Sequence, residues 1–99
     1  SAEWGRYHQL VGRLALAQQN IDKALSHFDR AKDIFRINRS HAEVGRTAYW
    51  RAEVYRHAGR AGEARRELLE AREIFTKLRA QVDLKRTERS LQQIDEHDA

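Results

Sequence analysis

The pentapeptide Ala2-Glu3-Trp4-Gly5-Arg6 returns forty residues later as Ala42-Glu43-Val44-Gly45-Arg46. The same offset joins Ala24 to Ala64, Ala31 to Ala71 and Ile34-Phe35 to Ile74-Phe75. A third, weaker copy opens at Val82-Asp83-Leu84-Lys85-Arg86-Thr87, which answers Ala42 to Thr47. Self-similarity at a fixed spacing of about 20–50 residues marks chains that stack one structural unit, since a single unit cannot bury its apolar face alone. Such stacks expose long continuous surfaces, and those surfaces generally bind rather than catalyse.

The 99 residues suffice for one small domain. Ala, Leu, Arg and Glu dominate, Pro is absent and Gly occurs only five times, so nothing breaks long helices. Strand-type alternation of Val, Ile and Thr does not occur. The expected fold is therefore all-α. Without Cys there is no disulfide or thiolate chemistry, which fits a reducing compartment and a cytoplasmic location. No apolar run approaches the ~18 residues that a membrane span requires. The chain has no Met and begins inside a first helical turn, as a piece cut from a longer protein would.

The net charge of +4 is unevenly distributed. Residues 1–40 carry seven basic and four acidic side chains, residues 41–80 nine and six, and residues 81–99 three and five. Two basic copies are thus followed by an acidic tail. Charges mixed at this density ordinarily belong to solvated helix faces, while the basic excess favours an acidic partner.

Five helices are expected, over about Ala2–Gln18, Ile21–Ile37, His41–Ala58, Gly62–Leu78 and Ala80–Glu96. Trp4, Tyr7, Val11, Leu14 and Leu16 give the first an apolar pattern, with Trp4 expected in the core. Asn20 is placed to cap the second helix, whose stripe is Ile21, Ala24, Leu25, Phe28, Ala31, Ile34 and Phe35. Ser40 and Glu43 have capping-box spacing before the third, which buries Val44, Ala48, Ala52 and Tyr55. Gly59 suits the left-handed turn that ends it. The fourth buries Ala64, Leu68, Ala71, Phe75 and Leu78. The fifth turns Leu84, Thr87, Leu91 and Ile94 inward and is otherwise polar, as a terminal capping helix is.

These residues resemble the tetratricopeptide repeat. Gly12 and Ala52 stand twelve positions before Ala24 and Ala64, Tyr55 nine before Ala64, and the second helices continue to Phe28-x-x-Ala31 and Leu68-x-x-Ala71. Small side chains at those places let antiparallel helices approach closely, and the aromatic fills the gap beside them. The resemblance spans residues 2–96, with repeat one at 2–38, repeat two at 41–78 and a capping helix at 80–96. It departs from the family in its period of forty rather than the usual thirty-four, and in having Arg36 and Thr76 where a Pro often ends each repeat.

The resemblance implies hairpins wound in a right-handed superhelix, with first helices lining a concave groove that takes a protein or peptide. Arg6, Gln9 and Arg13 would line it from repeat one, then Arg46, Tyr49, Trp50, Glu53 and Arg56 or His57 from repeat two, and Arg86, Arg89 and Gln93 from the cap. Arg6, Arg46 and Arg86 are equivalent and would form a ladder suited to carboxylates. A partly exposed Trp50 beside Tyr49 would supply an anchor site. The plainer alternative pairs the same arginines with Glu3, Glu43 and Asp83 on a solvated face. The clamp for chaperone carboxyl termini is disfavoured, because of the matching positions Gln9, Arg13, Trp50, Arg86 and Ser90 only Arg86 is compatible.

Other functions find less support. There is no phosphate-cradling Gly loop, no His-Glu-x-x-His and no cofactor motif, so an enzyme is not expected. His8, His27, His41, His57 and His97 place no two on one helical face, which disfavours zinc. The basic character with Tyr49 and Trp50 would suit nucleic acid, but interspersed acidic residues argue against it. Self-association through an apolar end at Trp4 and Tyr7, giving a homodimer, is the further alternative.

Overall fold

The computed structural model describes residues 1–98. Five helices follow one another: α1 (Ala2–Ala17), α2 (Ile21–Ile37), α3 (His41–His57), α4 (Ala61–Leu78) and α5 (Gln81–Asp98). Each expected helix is present, with ends shifted by a residue or so. Neighbours in sequence pack against each other, and α3 also rests on both α1 and α2. The molecule is only 17 Å deep, which is two layers of helix. Links within a layer tie α1 to α3 through Gln9 and Thr47, α3 to α5 through Arg46 and Asp83, and α2 to α4 through Lys32 and Glu67.

The turns share one conformation. Gln19, Arg39, Gly59 and Arg79 all have positive φ, between 55° and 73°. In each turn the following N–H donates to a carbonyl five residues back: Asn20 to Ala15, Ser40 to Phe35 and Arg60 to Tyr55 at 2.8 Å, Ala80 to Phe75 at 3.0 Å. This is the Schellman arrangement, which satisfies carbonyls that the helix end leaves free. Gly59 meets the conformation without strain, as expected, whereas Gln19, Arg39 and Arg79 adopt it with a Cβ.

Helix starts differ. Asn20 caps α2 as expected, its Oδ1 accepting from the Lys23 N–H at 3.3 Å. Ser40 stands at the N-cap of α3 but makes no side-chain cap bond. The expected capping box is not formed, because the Glu43 carboxylate is held by Arg46 instead.

The core consists of aromatic rings seated on small residues. A Cβ on Gly12 would stand 2.7 Å from the Phe28 ring, one on Gly5 2.6 Å from Phe35, and one on Gly45 2.8 Å from Phe75. Phe28, Phe35, Phe75 and Leu68 are completely buried, each contributing about 1.5–3 kcal/mol through removal from water. Ala48, Ala52, Ala64 and Ala71 are buried beside them, as expected. In α5, Thr87, Leu91 and Ile94 face inward while Leu84 is half-buried.

Two expectations about the core fail. Trp4 is 61% exposed rather than buried, because no helix among the described residues covers that side of α1. The buried row of α1 is Gly5, Gly12 and Ala15. Leu78, the last residue of α4, is 45% exposed and lies past the packed row.

Candidate functional site

Side chains from α1, α3 and α5 meet along the face of the first layer. Trp50 and Tyr49 are half-buried neighbours on α3, their rings in edge contact at 5.6 Å. The Arg13 guanidinium reaches across from α1 and stands 4.5 Å from the Trp50 ring centre. From α5, Arg86 lies 4.2 Å over Tyr49 and 6.0 Å from Trp50. Two cations from different helices thus bracket the aromatic pair, each attracted to the negative face of a ring.

The remaining expected groove residues divide into paired and free. Arg46 bridges Glu43 and Asp83, with 3.2 Å to the latter, and Asp83 also takes Arg86 at 3.4 Å. These two carboxylates hold the Arg46 guanidinium well into its charged form, the Glu43 bond contributing most. For Arg46 and Arg86 the plainer expectation of pairing with acidic neighbours is therefore met. Gln9 is half-buried and donates to the Thr47 hydroxyl at 3.2 Å. Glu53 accepts from Arg56 at 3.3 Å and from Ser90 at 3.4 Å. Arg6 and Arg89 are exposed and make no ion pair or hydrogen bond among the described residues.

Beyond Glu53 the face deepens into an open cleft of ≈ 660 Å³ between α3, α5 and the start of α4. Arg56, His57, Gln93, Ile94 and His97 line it. That volume lies within the range of ordinary ligand pockets, and its walls mix apolar carbon with chargeable groups.

Two clusters escaped the sequence. His8 and His27, on different helices, stand with Nδ1 atoms 3.0 Å apart, so one ring donates and the other accepts. Burial, followed by nearby cations, lowers both pKa values below 6.5: Arg30 acts on His8, and His8, Arg30 and Lys23 act on His27. Spacing along single helices could not reveal a pair made across two.

The second cluster is a charge network inside the second layer. Lys32 is nearly buried and donates to both Glu67 oxygens at 3.1 Å and to Glu70. Arg51 of α3 donates to Glu67 at 2.7 Å, to Asp29, and at 3.0 Å to the Tyr55 hydroxyl. Burial pushes the Glu70 carboxyl up, but the bond and charge of Lys32, with Arg36 beyond, outweigh it and hold it below the ordinary value. Not all of the mixed charge lies on solvated faces.

Antiparallel helix pairs, small-on-aromatic packing and a side-chain-rich face across alternate helices define a helical-repeat scaffold. The sequence model of the tetratricopeptide repeat matches residues 6–77, and the chain belongs to that family. No curated protein and no solved structure matches it. Tetratricopeptide repeats in general mediate protein–protein interactions on non-catalytic scaffolds. No helix among the described residues is long and apolar enough to cross a membrane.

Proposed function

We propose that the α1–α3–α5 face binds an acidic peptide or protein segment carrying an apolar or aromatic anchor. The observation that carries this reading is the bracket of Arg13, Trp50, Tyr49 and Arg86 drawn from three helices. Arg13, exposed beside the Trp50 ring and making no hydrogen bond or ion pair among the described residues, can meet a carboxylate with two parallel hydrogen bonds, while the Nε of Arg86 is buried without a partner and its Nη2 is on Asp83. Arg6 and Arg89 add charge at the margins, and Arg46 is oriented by the carboxylates that pair with it. The cleft bounded by Arg56 and Ile94 supports an anchor side chain entering beside the charged row.

Nucleic acid fits this face less well. Glu43, Glu53 and Asp83 alternate with the arginines, and a polyanion with a charge at every unit would meet them. Discrete peptide carboxylates avoid that conflict. Selection from a random peptide library tests the reading. Enriched sequences should combine Asp or Glu with an apolar residue, and their binding should weaken with added salt. Enrichment of basic or wholly uncharged peptides would overturn it.

A further inference from the structure

The junctions α1–α3 and α3–α5 follow one plan but are filled differently. Between α1 and α3 the gap is closed by Leu16, Ile21, Leu25 and Trp50, half-buried on a core that includes Phe28 and Val54. Every side chain of that cluster belongs to α1, α2 or α3, so no later hairpin takes part in closing it. Forty residues on, the same four places hold Arg56, Ala61, Arg65 and Ser90. The floor is kept, with Leu68 answering Phe28 and Ile94 answering Val54, both buried. The apolar shell above it is lost, and the open cleft of ≈ 660 Å³ stands in its place. Arg56, Ala61 and Ile94 on its walls are the counterparts of Leu16, Ile21 and Val54. The cleft is thus made by a change of side chains, with both helix walls present.

The walls point to what fits there. At the first junction a ring fills the gap, with Arg13 standing 4.5 Å over the Trp50 indole. At the second, Glu53 has the place of Arg13 and Ser90 that of Trp50, the hydroxyl donating to the carboxylate at 3.4 Å. Arg56 continues the run, donating to Glu53 at 3.3 Å and to the Gln93 side-chain oxygen at 3.1 Å. Fixed polar groups therefore edge one wall, while Ile94 and Ala61 leave the other apolar. An aliphatic group would take the polar run out of water and return nothing. A charged group would lose hydration against Ile94. A ring with a single N–H or O–H on its edge satisfies both walls.

We infer that this cleft is the anchor pocket of the bound segment and takes an indole or phenol ring. The partner supplies in trans the ring that Trp50 supplies within the chain at the first junction. This rests on the peptide reading of the α1–α3–α5 face and narrows its anchor to Trp or Tyr.

Uncharged single-residue probes test it on the 99-residue chain. N-acetyl-tryptophanamide and N-acetyl-tyrosinamide, titrated to about 20 mM, suit the roughly millimolar Kd of one side chain. Backbone amide shifts should gather at Gly59, Ala61, Gln93 and Ile94, and N-acetyl-leucinamide should bind roughly fivefold or more weakly. Ala61→Ile restores the residue of the first junction and should keep the helical signal while weakening the aromatic probes more than tenfold. Arg56→Leu combined with Ala61→Ile, which restores two, should do the same. Absence of shifts, shifts gathered at Trp4 and Tyr7, equal binding of the leucine probe, or binding indifferent to both refilled variants overturns the inference. The probes carry no carboxylate, so their binding is independent of the arginine row. Acidic peptides that fail to bind while the probes succeed fault the reading of the face, and the reverse faults the pocket.

Discussion

The ring of Phe75 occupies the space that a side chain on Gly45 would need: a Cβ there would stand 2.8 Å from two ring atoms. Phe35 stands in the same relation to Gly5. Glycine in mid-helix costs stability through backbone entropy, so its presence marks a close approach between helices. Gly45→Val should therefore destabilise the fold by about 1–3 kcal/mol in urea unfolding, through overpacking. Gly62 has open space around it, and Gly62→Ala should be neutral or stabilising by up to about 1 kcal/mol. The opposite signs are the test.

The turn after α4 places Arg79 at φ 55°, where its counterpart Gly59 has 73°. Arg79→Gly removes the steric penalty of a Cβ in that region. It should raise stability by about 0.5–1 kcal/mol even though glycine loosens the unfolded chain. Gly59→Ala should lower it by about 1 kcal/mol. Thermal unfolding of the two variants side by side reads both.

Glu67 lies between Lys32 and Arg51, its side chain only 11% exposed. Glu67→Leu leaves two nearly buried cations with Glu70 and Asp29 as their remaining counter-charges. A loss of about 2 kcal/mol or more is expected, since breaking a buried pair exposes the desolvation cost of the surviving charge. Restoring apolar shape at both ends with Lys32→Met added should recover most of it. Additivity of the two losses would contradict the network.

The His8–His27 pair makes stability depend on pH in a defined direction. Both folded-state pKa values are lowered from 6.5, by burial first and neighbouring cations second, so the unfolded chain binds more protons. Stability should be complete above 6.5 and fall as the pH drops below it. The lowered carboxyl of Glu70 acts in a separate window, below 4.5. His27→Gln should flatten the unfolding midpoint between pH 7 and 5, approximately the histidine window. An unchanged slope would show that the pair does not couple to folding.

Much of this fold was legible in the sequence because its packing repeats. Ala24, Phe28, Ala31 and Phe35 recur as Ala64, Leu68, Ala71 and Phe75, and all eight are buried. The α1 stripe misled for a physical reason: periodicity identifies an apolar face but not whether anything covers it. Gly5 and Gly12, which do face the core, give no hydrophobic signal at all. Local spacing marks Glu43 as a capping residue, yet Arg46 holds its carboxylate and outcompetes the cap. The His8–His27 contact and the Lys32–Glu67–Arg51 network depend on the register between helices, which periodicity along one helix does not encode. The convergence of Arg13, Trp50, Tyr49 and Arg86 was legible as a shared face, but not as stacking.

The central claim is that the arginine–aromatic face binds acidic peptide, and calorimetric titration of a selected peptide tests it most directly. Wild-type protein should bind, and Arg46→Glu and Arg86→Glu should each weaken binding more than tenfold, about 1.4 kcal/mol or more. The loss should shrink as salt is raised, because the lost contacts are electrostatic. Equal affinity of the wild type and both variants would contradict the claim, leaving these arginines as partners of Glu43 and Asp83 alone.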